Sequence, residues 1–197
     1  VRISHTHKII FVSNPKTGSH TGFKLMEENF NGKAYGSFHH VVVPDKFKSY
    51  SAFTFVRNPY ERVVSIWNSV FNFAKDPAQI PIRDRKNYLK AVGSDDFKDF
   101  CLWIQDWPNL NHMHPATTPQ YAHLSQCNVP LTYIKTEDML EDLNKFLITN
   151  GIEPLASVPH ELNRPHKSFW EIANAECVDA VNTWSKDDFK LGSYKQW

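Results

Sequence analysis

The chain has little that would make its fold depend on crosslinks, repeats or a membrane. It has three cysteines, Cys101, Cys127 and Cys177, among 197 residues. They are too few and too scattered for a disulfide scaffold, and they fit a reducing compartment, or one bridge with a thiol left over. Seven glycines and 12 prolines fall far short of the ~25–30% found in low-complexity chains. No run of ~18 apolar residues is present to span a membrane as a helix, and no signal-peptide pattern is visible. Neither sign of charge is in excess: 22 Lys and Arg stand against 21 Asp and Glu, a formal net charge of +1. Near-neutrality argues against a main role in coating nucleic acid or an anionic membrane, so neither is an expected partner. A local anion site is still compatible with it.

What the chain does have is apolar and aromatic material, 41% and 14% of its residues. That is enough for the core of one domain over residues 1–197. Ile9-Ile10-Phe11-Val12 reads as a buried strand running into Asn14-Pro15 and Gly18. A helix is expected over residues 19–30, with Phe23, Met26 and Phe30 on one face. Residues 52–56 form a second buried strand, and Asn58-Pro59 opens a helix with Val63, Ile66, Trp67, Val70 and Phe71 on one stripe. Residues 74–93 read as a polar excursion, followed by a helix over 95–107 capped by Ser94. Residues 130–134 form a further strand. Capping boxes start helices at Asp138, ending at Asn150-Gly151, and at Ser168, running to about residue 189. Trp67, Trp103 and Trp170 are expected in the core. Strands alternating with helices imply an α/β fold, a single domain with a mostly parallel central sheet flanked by helices.

Two segments carry chemistry. In Ser13-Asn14-Pro15-Lys16-Thr17-Gly18-Ser19-His20-Thr21, a strand, a glycine turn and a helix start would present backbone N–H groups to an anion. Lys16 would add a positive charge, and Thr17, Ser19 and Thr21 hydroxyl donors. An ordinary β–α turn with a solvated lysine is the alternative. The loop is not a Walker A motif, where the lysine follows the last glycine; here Lys16 precedes Gly18. In the second segment, Phe55-Val56-Arg57-Asn58-Pro59-Tyr60-Glu61-Arg62-Val63-Val64-Ser65, Arg57 falls at a strand end, where open α/β sheets bind ligands. Ser65 lies off the apolar stripe of the next helix. Together they could clamp a second phosphate, or Arg57 could pair with Glu61 and Ser65 face solvent.

Pro15-Lys16-Thr17-Gly18-Ser19 resembles the 5′-phosphosulfate loop of sulfotransferases, and Phe55 to Ser65 resembles their 3′-phosphate motif, in the same order and separation. More loosely similar are His114 to Gln120, Tyr133-Ile134-Lys135-Thr136-Glu137 and Lys186-Asp187-Asp188-Phe189. The resemblance covers most of the chain and points to a short, bacterial or phage-like form of the carbohydrate-type branch, departing from it at His20. It implies a P-loop-like sulfotransferase fold. It also implies transfer of a sulfuryl group from 3′-phosphoadenosine-5′-phosphosulfate (PAPS) to a small-molecule or glycan hydroxyl, leaving 3′-phosphoadenosine-5′-phosphate (PAP). By analogy with phosphoryl transfer, positioning and charge stabilisation would do most of the catalysis, with no metal. Lys16 would neutralise the leaving oxygen. Thr17, Gly18, Ser19, His20 and Thr21 would hold the 5′-phosphosulfate, and Arg57 and Ser65 the 3′-phosphate. The family's C-terminal contact would fall to Arg164, although a solvated basic loop there fits equally. His40, or its neighbour His39, would be the base, and an imidazole base must be neutral, so activity should fall on acidification. A surface pair is the alternative. His112, His114, His123 and Cys127 match no zinc spacing and read as substrate-loop residues. An atypical nucleotide kinase and a non-catalytic nucleotide-binding module are the competing functions. A cytoplasmic location is the expectation, and the Golgi lumen the alternative if an anchor preceded Val1.

Overall fold

In the computed structural model, which describes residues 1–72, 82–107, 115–159 and 167–197, the chain opens with Arg2–Ser4 (β1). This strand pairs antiparallel with Ile9–Val12 (β2), an uninterrupted apolar run whose four residues are all fully buried. Such a run needs cover on both faces, as the interior strand of an α/β sheet has. Lys33–Ala34 (β3) adds to the outer side of β1. Ser51–Val56 (β4) pairs parallel with β2, and Leu131–Lys135 (β5) parallel with β4. The order is β3-β1-β2-β4-β5. The sheet therefore has the expected parallel centre, and an antiparallel edge makes it mixed. That edge comes from strands of two and three residues, too short to give a periodic signal.

Packing divides the described residues into two units. The first, Val1–Arg57 with Gln120–Asn163 and Lys190–Gly192, holds the sheet. Ser19–Phe30 (α1) lies against β1 and β2, and Met139–Thr149 (α6) against β5. Ile9, Phe11, Phe53, Phe55 and Ile134 alternate onto one sheet face. There they share a core with Phe23, Met26 and Phe30 of α1 and Leu143, Phe146 and Leu147 of α6. Gly22 makes that contact possible, because a Cβ there would stand 2.2 Å from the Phe11 ring.

The second unit, Asn58–Pro119, Arg164–Phe189 and Ser193–Trp197, is helical in its described residues. Pro59–Trp67 (α2) starts as the sequence implies, with Asn58 Oδ1 accepting from Tyr60 N–H at 3.0 Å and Pro59 in the first turn. Other boundaries differ from expectation. Ile82–Val92 (α3) is helical inside the expected polar excursion. Phe97–Ile104 (α4) is capped by Asp96, not Ser94; Asp96 Oδ1 accepts from Lys98 N–H at 2.8 Å, while Ser94 Oγ donates to Asp99. The Ser168 box opens only Phe169–Ile172 (α7). Ala173 is extended, and Asn174 caps a new helix, Ala175–Trp184 (α8), by accepting from Cys177 N–H. Asp188–Leu191 forms one further turn. In the first unit, Asp138 makes no side-chain cap to α6, since its carboxylate pairs with Lys135 at 3.0 Å. Trp67 and Trp103 pack on the second unit's core, whereas Trp170 is 54% exposed, set against Tyr60 and Trp197. No described helix is long and apolar enough to cross a membrane.

Candidate functional site

The parallel pairing of β2 with β4 sets Val12 opposite Thr54, so the loop after β2 and the end of β4 emerge at the same edge. The loop is tightly wound. Lys16 has φ 67° and Gly18 φ 89°, both in the left-handed region. Glycine accepts that conformation without penalty; for lysine it costs about 1–2 kcal/mol. Gly18 occupies the N-cap position of α1. Ser13, Asn14 and Thr17 are fully buried, Lys16 is half-buried and His20 is exposed.

The loop hydroxyls face inward. Thr17 Oγ1 and Ser19 Oγ donate to the Asn14 carbonyl at 2.8 and 2.7 Å, and Ser13 Oγ donates to Ser19 Oγ at 3.0 Å. They brace the turn at the start of α1, where the helix dipole is positive. Thr21 is buried in the first turn.

Past Val56, Arg57 is anchored through its backbone. Gln120, which starts the short helix Gln120–Leu124 (α5), accepts from Arg57 N–H at 3.0 Å and donates to Arg57 C=O at 2.8 Å. It also accepts from Asn14 Nδ2 at 3.1 Å, and Asn14 donates to Phe55 C=O at 3.0 Å. From the same helix, His123 Nε2 lies 3.0 Å from the carbonyl of Ser13. A carbonyl only accepts, so that nitrogen carries the proton.

The two candidate bases sit differently. His39 is half-buried, with its ring 4.8 Å from Phe38 and 6.5 Å from His123. Phe38 in turn reaches His20 of the loop at 5.2 Å. His40 is exposed, and its ring lies so close over Gly36 that a Cβ there would come within 2.7 Å of it. Its carbonyl accepts from the Val1 amino group. The structure thus brings His39, and not His40, toward the loop through His123.

In the second unit, Ser65 is half-buried in α2. Glu61 accepts from Phe169 N–H at 3.0 Å. Arg62 is fully buried: its Nη2 donates to the carbonyls of Ala116 and Thr118 at 3.0 and 2.9 Å, with Asp188 at 4.0 Å and the Trp184 ring at 5.3 Å. Arg164, His112 and His114 lie outside the described residues. Among the described residues no group of three His, Cys, Asp or Glu could hold a metal ion.

The profile of the Sulfotransferase family matches residues 1–186, across both units. The chain belongs to the sulfotransferase family. It is also similar to carbohydrate sulfotransferase 10 of Xenopus laevis, with 26% identity in an alignment covering 98% of this chain and 67% of the relative. No solved structure matches it significantly.

In this sulfotransferase the loop and Arg57 were visible as linear motifs. The anchoring roles of Asn14, Gln120 and His123 were not, because each acts across more than forty residues of chain. The signal that could have pointed to Gln120 is an amide side chain closing the stretch from His114, directly after Pro119. Cys127 is half-buried, and burial pushes its thiol up. In the second unit, the hydrogen bond between Cys101 and Cys177 holds Cys177 below the usual thiol range and Cys101 above it.

Proposed function

We propose that this sulfotransferase takes its sulfuryl group from PAPS and delivers it to a hydroxyl of a carbohydrate or another small alcohol. The observation that carries the reading is the loop, in which Lys16 is held left-handed immediately before Gly18 and the start of α1. Strain of this kind at a loop persists when the surroundings enforce it, and it gathers at ligand sites. A cation beside helix-start N–H groups suits an anionic phosphosulfate. When bound, the donor supplies an activated sulfuryl group whose departure leaves charge on a phosphate oxygen.

Lys16 neutralises that charge. The backbone from Thr17 to Thr21 binds the 5′ end, the Thr17 and Ser19 hydroxyls serving as braces. Arg57 binds the 3′-phosphate by a charge-assisted contact. His39, rather than the sequence-favoured His40, accepts the proton of the acceptor hydroxyl, because its ring lies toward His123 and the loop. The match to a carbohydrate sulfotransferase supports a sugar acceptor.

Calorimetry in EDTA tests the donor assignment. PAP is expected to bind without metal and more tightly than ATP. Strict dependence on Mg²⁺, or tighter binding of ATP, would overturn the donor assignment.

A further inference from the structure

Gln120 is fully buried, yet its amide bridges two segments that lie 106 and 63 residues away in the chain. β2 ends at Val12, so β4 has no strand neighbour on that side beyond Thr54. Side chains take over the ladder. Asn14 Nδ2 meets Phe55 C=O, and Gln120 meets both the N–H and the C=O of Arg57, as an adjacent strand would. The remaining lone pair of Gln120 Oε1 accepts from Asn14 Nδ2 at 3.1 Å, tying this surrogate strand to the Lys16 loop. The primary amide accepts twice and donates once here while staying neutral, and neutrality matters beside a phosphate site.

We infer that Gln120 is a positioning residue that fixes the Arg57 backbone, and with it the guanidinium, against the Asn14 end of the loop. The preference for a 3′-phosphorylated nucleotide then depends on it. This rests on the assignment of Arg57 to the 3′-phosphate. Gln120 touches no ligand in this scheme and acts only through Arg57 and Asn14.

The test compares PAP with adenosine 5′-monophosphate, which lacks the 3′-phosphate, by calorimetry in EDTA. Gln120→Met keeps the length of the side chain and removes all three hydrogen bonds. Gln120→Glu keeps the two accepted bonds, loses the donated one and adds charge. Both are expected to weaken PAP by at least about tenfold, as loss of a well-placed charged hydrogen bond does, and to change monophosphate binding by less than about threefold. In an Arg57→Ala background, Gln120→Met is expected to add little, since the two residues act as one unit. Equal weakening of both nucleotides, or an unchanged preference, would overturn the inference. If Gln120→Met does not fold, the ratio in Gln120→Glu decides in the same way. A wild-type protein with no preference for PAP over the monophosphate would remove the Arg57 assignment, and the inference with it. A wild-type preference that survives in the variants removes only the inference.

Discussion

Lys16 and Arg57 carry the same charge at the same sheet edge, but their backbones differ in a way that fits the separate roles proposed for them. Arg57 directly follows β4 and is locked by Gln120, a placement suited to a phosphate whose charge does not change during reaction. Arg57→Ala is therefore expected to weaken PAP about 10–100-fold with a smaller effect on turnover, as for a lost charged hydrogen bond. Lys16→Ala should do the reverse, because a charge that matters most as the leaving group forms acts on kcat. Calorimetry with steady-state kinetics separates the two, and a pure affinity loss in both variants would make Lys16 a binding residue only. For the base, His39→Ala is expected to lower turnover about 10²–10⁴-fold and to abolish the acid limb of the pH profile. His40→Ala should leave both nearly intact; the opposite result would return the role to His40. These residues were legible to different degrees. The Lys16 loop and Arg57 sit in contiguous motifs whose residue types announce their chemistry. The choice between His39 and His40 was not legible, because residues 37–40 form a turn and only the distant His123, whose ring lies 6.5 Å from that of His39, distinguishes the two.

Gly22 shows what the sequence conceals about an element. The periodicity of Phe23, Met26 and Phe30 identifies α1, but nothing local says how closely it approaches β2. The Phe11 ring fills the space where a Cβ would be, and it is itself wedged among Phe23, Phe53 and Phe55. Gly22→Ala is expected to cost about 1–3 kcal/mol, as overpacking of a filled core does, read as a lower urea midpoint at unchanged slope. A neutral result would mean that α1 can slide, and with it the loop at its start. Elsewhere, helix existence was easier to read than helix ends. The apolar stripe after Ser168 continues through Ala173, but Asn174 offers its side chain to Cys177 N–H and restarts the helix. α3 was missed because its charged residues outweigh the buried Tyr88.

Across the whole molecule, the α/β class followed from the alternation of apolar runs and helical stripes, while the mixed edge of the sheet and the buried charge in the second unit did not. Arg62 stands between Glu61 and Val63 in sequence and reads as one more cation of its motif, yet it is a core residue held by two carbonyls and Asp188. Asp188→Ala should destabilise the protein by about 3–5 kcal/mol, because breaking a buried pair leaves its partner's charge uncompensated. The double variant Arg62→Met with Asp188→Leu should recover much of that loss in thermal unfolding. If Asp188→Ala were neutral, the carbonyls alone would satisfy the guanidinium. The central claim concerns chemistry, and it is tested most directly by incubating the protein in EDTA with PAPS labelled in its sulfur and a panel of carbohydrate acceptors. The expected result is label on an acceptor hydroxyl with an equal amount of PAP released, both lost in Lys16→Ala. PAP binding without transfer to any acceptor, or transfer of phosphate from ATP in the presence of Mg²⁺, would contradict it.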